Sequence, residues 1–155
     1  MATATEILAW VKDVFDQKEL GYELLEDKNT LKIHLPLKSK LKNFTAYFNC
    51  RERSYTVNAY IPLGVDEDSR QKIAEYITRA NYGLRFGNFE LDFSDGEIRY
   101  RLTVDCEDRS SLSESLVMRS IFIPMTMFDR YGDGLVAVMF GIKSPEEAIN
   151  DAEKD

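Results

Sequence analysis

Histidine occurs once in the 155 residues, at His34, and cysteine twice, at Cys50 and Cys106. One histidine excludes a multi-histidine metal centre or an imidazole relay, and two cysteines cannot make a disulfide framework. No CxxC, HExxH or Walker-type glycine loop is present, and Gly83 with Gly87 is too sparse to cradle a phosphate. Basic charge is also short: 20 Lys and Arg stand against 27 Asp and Glu, a net charge of −7, with no basic tail or arginine-rich block. Binding nucleic acid through phosphate neutralisation is therefore disfavoured. No uninterrupted apolar run approaches the ~20 residues of a membrane span, and MATATEILAW lacks the basic, then apolar, start of a signal peptide. A cytoplasmic protein with neither membrane nor nucleic-acid partners is expected.

What remains is an ordinary globular composition, with 44% hydrophobic and 30% charged residues. The length suits one domain spanning residues 1–155, with a polar tail after about 150. Thr3-Ala4-Thr5-Glu6 reads as a capping box, in which the Thr3 hydroxyl and the Glu6 carboxylate satisfy each other's backbone N–H. Behind it Ile7, Leu8, Val11, Val14 and Phe15 form one helical stripe, and Leu20-Gly21 supplies a stop. Tyr22 to Glu26 can form a short strand. Period-two alternation then marks three strands, with apolar faces at Leu31, Ile33, Leu35 and Leu37, at Phe44, Ala46, Phe48 and Cys50, and at Tyr55, Val57, Ala59 and Ile61. Pro36 places the first of these near an edge or a strand end, and Pro62-Leu63-Gly64 is expected to break the sheet.

A second helix follows, with Asp66, Glu67 and Asp68 loading its N-terminus and Ile73, Tyr76, Ile77 and Ala80 along its apolar face. The stretch ANYGLRFGNFELDFSDGEIRYR (residues 80–101) then leaves the helix through glycine and enters a hairpin. A two-residue type I′ turn at Asp95-Gly96 would place Asp92 opposite Arg99, Glu90 opposite Arg101 and Phe93 opposite Ile98. That register leaves one apolar face and one face of paired charges, and Val104 and Cys106 are expected to prolong the second strand in the phase of Tyr100 and Leu102. Ser111 and Glu114 suggest another capping box before LVMRSIFIPMTMF, with a kink or restart at Pro124 and a break at Gly132 and Gly134. Ser144-Pro145-Glu146-Glu147 starts a last helix.

Few of these residues assemble into chemistry. His34 falls in phase with Lys32 and Lys38 and reads as a surface side chain. Cys50 and Cys106 fall in phase with core positions and read as buried thiols. Glu90 and Asp92 face arginines, and Asp66, Glu67 and Asp68 lack the pattern of a calcium loop. Asp129, Arg130 and Asp133 suggest a helix break with local ion pairing, and Lys38-Ser39-Lys40-Leu41-Lys42 a solvated loop. No catalytic, cofactor-binding or metal-ligating residue is assigned, and no enzyme is expected.

One segment exceeds what a simple amphipathic helix needs. Between Leu112 and Ile142 lie four of the five methionines, and the helical run is apolar nearly all round. Met118, Phe122, Met125, Met127, Phe128, Tyr131, Met139 and Phe140 are the candidate partner or dimer surface, since thioethers adapt to varied contacts. Two readings stay open and compatible: this segment crosses the core against the sheet, or part of it meets another chain.

The helix exit and hairpin ITRANYGLRFGNFELDFSDGEIRYR and the closing GIKSPEEAI resemble the YbjN-like family of bacterial proteins. That resemblance implies an α+β fold like that of type III secretion chaperones, ordered α-β-β-β-α-β-β-α, often dimeric and binding other polypeptides. It also implies a role in sensory-transduction regulation, and it carries no catalytic residues. The leading expectation is a non-enzymatic, chaperone-like or regulatory protein-binding module that forms homodimers or binds a protein client. The alternative is a small-molecule sensor with an apolar pocket between sheet and C-terminal helices, Tyr60 or Tyr131 supplying a polar contact. A third reading, a hydrolase or metal enzyme, would need His34 buried beside a carboxylate.

Overall fold

The computed structural model describes residues 1–154. Its backbone is α+β, with six antiparallel strands and four α-helices: α1 (Ala4–Gln17), β1 (Glu23–Leu25), β2 (Thr30–Pro36), β3 (Asn43–Arg51), β4 (Ser54–Gly64), α2 (Arg70–Asn81), β5 (Asn88–Leu91), β6 (Glu97–Asp105), α3 (Glu114–Met139) and α4 (Pro145–Ala152). The strands run in the order β1-β2-β3-β4-β6-β5. One strand and one helix are thus added to the layout that the resemblance implied. They are the short β1, from the Tyr22–Glu26 stretch, and α4.

Period-two patterning builds the sheet as expected. Phe44, Ala46, Phe48, Tyr55, Val57, Ala59, Ile98 and Tyr100 all point to one buried face, against which the helices pack. Their alternates stay polar and form a helix-free outer face. β1 pairs only with Thr30–Lys32 of β2, so the end of β2 at Pro36 borders no strand on that side, where a missing N–H costs nothing. β4 does not break at Pro62. It continues to Gly64 through a register irregularity, beyond its last pairing with β3 at Tyr60, so the proline removes no ladder bond.

Both N-terminal caps follow the side-chain chemistry. Thr3 and Glu6 form the capping box of α1, and Ser144, with Pro145 next, forms that of α4. The stop after α1 differs: Glu19 takes the left-handed conformation, and Gly21 is not needed for it. Ahead of α2, residues Glu67–Ser69 make a separate 3-10 turn. Ser113, not Ser111, caps α3, accepting the Leu116 N–H at 3.1 Å, while Ser111 belongs to a preceding turn closed by Asp108.

The hairpin register lies two residues from the expected one. Glu90 faces Arg99 and Phe89 faces Tyr100. Asp92 accepts the Ser94 N–H at 2.8 Å, an Asx turn that opens the loop to Phe93–Gly96. Gly96 is left-handed there, and its added Cβ would lie 2.1 Å from the Val65 carbonyl oxygen. A two-residue shift preserves which face each side chain occupies, so Phe89, Ile98 and Tyr100 remain inside. Phe93 does not: it sits in the loop, 56% exposed. A single ion pair, Glu90 with Arg99 at 2.7 Å, replaces the two expected.

α3 is one 26-residue helix that neither restarts at Pro124 nor breaks at Gly132 and Gly134. An interior proline costs about 3 kcal/mol. Burial of Val117, Ile121, Phe128, Leu135 and Val138 on both sides of Pro124 outweighs that cost. The two glycines serve close packing instead. An added Cβ at Gly132 would lie 2.6 Å from Ser39 Oγ, and one at Gly134 2.3 Å from the Tyr76 hydroxyl oxygen.

Candidate functional site

The helical period sorts the methionine-rich segment into two sides. Phe128 and Tyr131 face inward: Phe128 is fully buried against Phe44, Phe89 and Tyr100, and Tyr131 packs edge-on to Phe89 and Tyr76. Within this chain they are core, not surface. Met118, Met125, Met127 and Met139 are half-buried along the flanks, and Phe122 and Phe140 are exposed. The core reading therefore holds for the inward side of the helix, while the outward side is left uncovered within this chain.

The outward side of α3 forms one wall of an apolar groove of about 400 Å³. Phe122, Ile123 and Met127 come from α3, and Leu84 and Phe86 from the loop between α2 and β5. Phe86 is 47% and Phe122 50% exposed, large for aromatic rings in water. The loop is held open by local chemistry. Gly83 and Gly87 are left-handed, and a Cβ at Gly87 would lie 2.5 Å from the Arg101 carbonyl oxygen. Beneath it Tyr100 donates its hydroxyl to the Phe86 carbonyl. The hairpin thus reaches the groove, since Tyr100 and the loop leading into β5 shape this wall.

Arginines border the groove. The guanidinium carbon of Arg119 lies 4.9 Å, and that of Arg85 5.5 Å, from the centre of the Phe86 ring, and Arg130 stands farther along α3. The sequence marker for the loop wall was GLRFG, an arginine and an aromatic bracketed by two glycines. Weighing those glycines only as a helix stop, and as too sparse for a phosphate cradle, does not reveal it.

The opposite, helix-free face of the sheet forms a broad polar depression of about 1080 Å³. Tyr47 and Tyr60 pack edge-on there at 5.8 Å. Asn58 donates to Asn49 at 2.8 Å, and Asn49 to Thr30 at 3.1 Å. Tyr60 therefore lies on the wrong face to line a pocket beneath α3. Between sheet and α3, the space bounded by Tyr76, Phe89, Phe128 and Tyr131 is about 10 Å³, no more than the room a single water needs. The sensor pocket anticipated there is filled by aromatic rings.

The remaining candidates are placed plainly. His34 is exposed and bonds Thr45 Oγ1 at 2.9 Å, with no carboxylate beside it among the described residues. Cys50 and Cys106 are buried free thiols, and burial pushes the Cys50 thiol up to about 12, far from a nucleophile's range. Among the described residues no three His, Cys, Asp or Glu side chains gather where a metal could sit. Asp129 and Asp133 do not pair with Arg130. They reach the β2–β3 loop, where Asp129 Oδ1 accepts the N–H groups of Lys38 at 2.8 Å and Ser39 at 3.0 Å, and Asp133 Oδ1 that of Lys40 at 2.8 Å. That loop is anchored, with Ser39 and Leu41 buried.

No described helix is long and apolar enough to cross a membrane. Comparison with curated proteins finds no match. The family model YbjN, described as "Putative bacterial sensory transduction regulator", matches residues 8–136, a span that includes the sheet, the glycine-bracketed loop and α3 through Val136. By that match the chain belongs to the YbjN family.

Proposed function

We propose that this protein is a non-enzymatic regulatory module of the cytoplasm that acts by binding another polypeptide, a protein client or a second copy, through the outward side of α3 and the loop carrying Phe86. The family description supports the regulatory part. The observation that carries the binding part is the pairing of half-exposed Phe86 and Phe122 across one apolar groove. Exposed aromatic and methionine side chains of this kind are enriched where proteins meet. A chaperone-like mode suits the half-buried Met118, Met125 and Met127 nearby, because flexible thioethers repack against different partners.

Site-specific photo-crosslinking tests the reading. A photoreactive phenylalanine analogue at position 122, expressed in the native cell, is expected to give a discrete adduct. Twice the 17.9 kDa chain mass would identify a homodimer, and any other mass a client. The same analogue at position 34, on the opposite face of the sheet, is expected to give none. Absence of an adduct from position 122, or equal yields from both positions, would refute the proposed surface.

A further inference from the structure

The groove between α3 and the Gly83–Gly87 loop combines two properties that select a narrow class of occupant. Its floor is apolar, from Phe86, Phe122, Ile123 and Met127, and its border carries Arg85, Arg119 and Arg130 with no acidic residue lining it. The chain as a whole carries 27 acidic against 20 basic residues, and other arginines find carboxylates, as Arg79 does with Glu75 and Arg99 with Glu90. Among the described residues, none of the three groove arginines forms a salt bridge. The guanidinium carbons of Arg85 and Arg119 lie 5.5 and 4.9 Å from the centre of the Phe86 ring, and a guanidinium held over an aromatic ring still has N–H groups to donate.

We propose that this groove receives a partner-protein segment in which a large apolar side chain is flanked by Asp or Glu; the inference rests on the protein-binding reading above. The apolar side chain fills the space between Phe86 and Phe122, and the carboxylates meet Arg85, Arg119 and Arg130. The volume of about 400 Å³ accommodates such an anchor. The loop is already set by two left-handed glycines and the Tyr100 hydrogen bond, so little ordering entropy is lost on docking. The acidic surface elsewhere would repel the same segment, which confines it to this local reversal of charge.

Fluorescence anisotropy on the full chain tests this with three labelled hexapeptides. The probe is Asp-Glu-Leu-Phe-Asp-Glu; one control exchanges its acids for lysine, and the other its Leu-Phe for Gly-Ser. The probe is expected to bind at least about tenfold tighter than either control, with affinity falling as salt rises. The double variant R85E/R119E and, separately, F122S are each expected to weaken it about tenfold or more. R85K/R119K, which keeps the charge but loses the planar guanidiniums over Phe86, should weaken it less than R85E/R119E, and thermal melting establishes that each variant is folded.

Equal binding of probe and controls would overturn the proposal, as would indifference to R85E/R119E and F122S. Laurate binding the groove while the probe does not would assign it to a fatty acid instead. Dissociation of a homodimer on adding F122S, with no probe binding, would assign it to a second copy. An adduct from position 122 with a third protein, together with failure of the acidic probe, would leave the protein-binding reading standing and remove only this inference.

Discussion

Tyr76 on α2 donates its hydroxyl to the main-chain carbonyl of Tyr131 on α3 at 2.6 Å, crossing directly over Gly134. The bond joins two helices in a water-poor setting, and burial holds the Tyr76 phenol well above its usual range. Gly134 is the condition for it, because an alanine Cβ would lie 2.3 Å from the hydroxyl oxygen. Helix propensity alone would make Gly134→Ala stabilising by about 1 kcal/mol. The close approach reverses that sign, and a net loss of about 1–3 kcal/mol is expected by urea unfolding. Tyr76→Phe, which removes the nearest atom, should relieve part of the penalty, so the two changes will be non-additive in a double-mutant cycle. Strict additivity would contradict the contact.

The second prediction concerns the β2–β3 loop. Asp129→Ala leaves the Lys38 and Ser39 N–H groups without their acceptor and should cost about 1–3 kcal/mol. Asp129→Asn keeps an acceptor oxygen and should cost less. Ser39→Ala points the other way, since the Ser39 hydroxyl is buried without a hydrogen-bond partner among the described residues, and its removal should be neutral or stabilising. Thermal melts of the three variants check the order.

Phe128 and Phe122 provide a matched pair on one helix. Phe128→Asp places a carboxylate among Phe44, Phe89 and Tyr100 and is expected to abolish folding. Phe122→Asp lies at a half-exposed position and should fold with stability within about 0.5 kcal/mol of the wild type. Circular dichroism separates the two; a folded Phe128→Asp would refute the inward assignment.

Alkaline behaviour follows from buried acids. Burial raises Cys50 from 9.0 to about 12 and Tyr100 from 10.0 to about 12, and raises Tyr55 and Tyr76 as well. In the unfolded chain these groups ionise near their ordinary values, so the folded state binds more protons between roughly pH 9 and pH 12. Their contribution to stability is whole below about pH 9 and is lost as pH rises through the folded values. The urea midpoint should therefore fall steadily above pH 9. At pH 8 a thiol reagent should label neither cysteine until denaturant is added; rapid labelling of the native protein would contradict their burial.

Much of this architecture was legible from side-chain periods, and the misses share a cause. The alternation in Phe44, Ala46, Phe48 and Cys50 and the stripe Ile7, Leu8, Val11, Val14 and Phe15 depend only on neighbours along the chain, as do the caps at Thr3 and Ser144. Pro124, Gly132 and Gly134 misled because a local rule reads them as helix breakers. Their roles depend on what lies across from them: Ser39 over Gly132, Tyr76 over Gly134, and a packed face around Pro124. The hairpin slipped by two for a related reason. Asp92 took the Ser94 N–H, and Gly96 met the Val65 backbone, a neighbour thirty-one positions away.

The sequence by itself determined the α+β class, the buried faces of α1, α2 and the central strands, the two N-terminal caps and the burial of both thiols, because hydrophobic period and capping act over a few residues. Tertiary structure alone decided which side of the methionine-rich helix faces water, that Asp129 and Asp133 anchor a loop some ninety positions away, and that Arg85 and Arg119 converge on one aromatic ring. Those outcomes depend on how separate elements pack together, and no spacing along the chain encodes that directly.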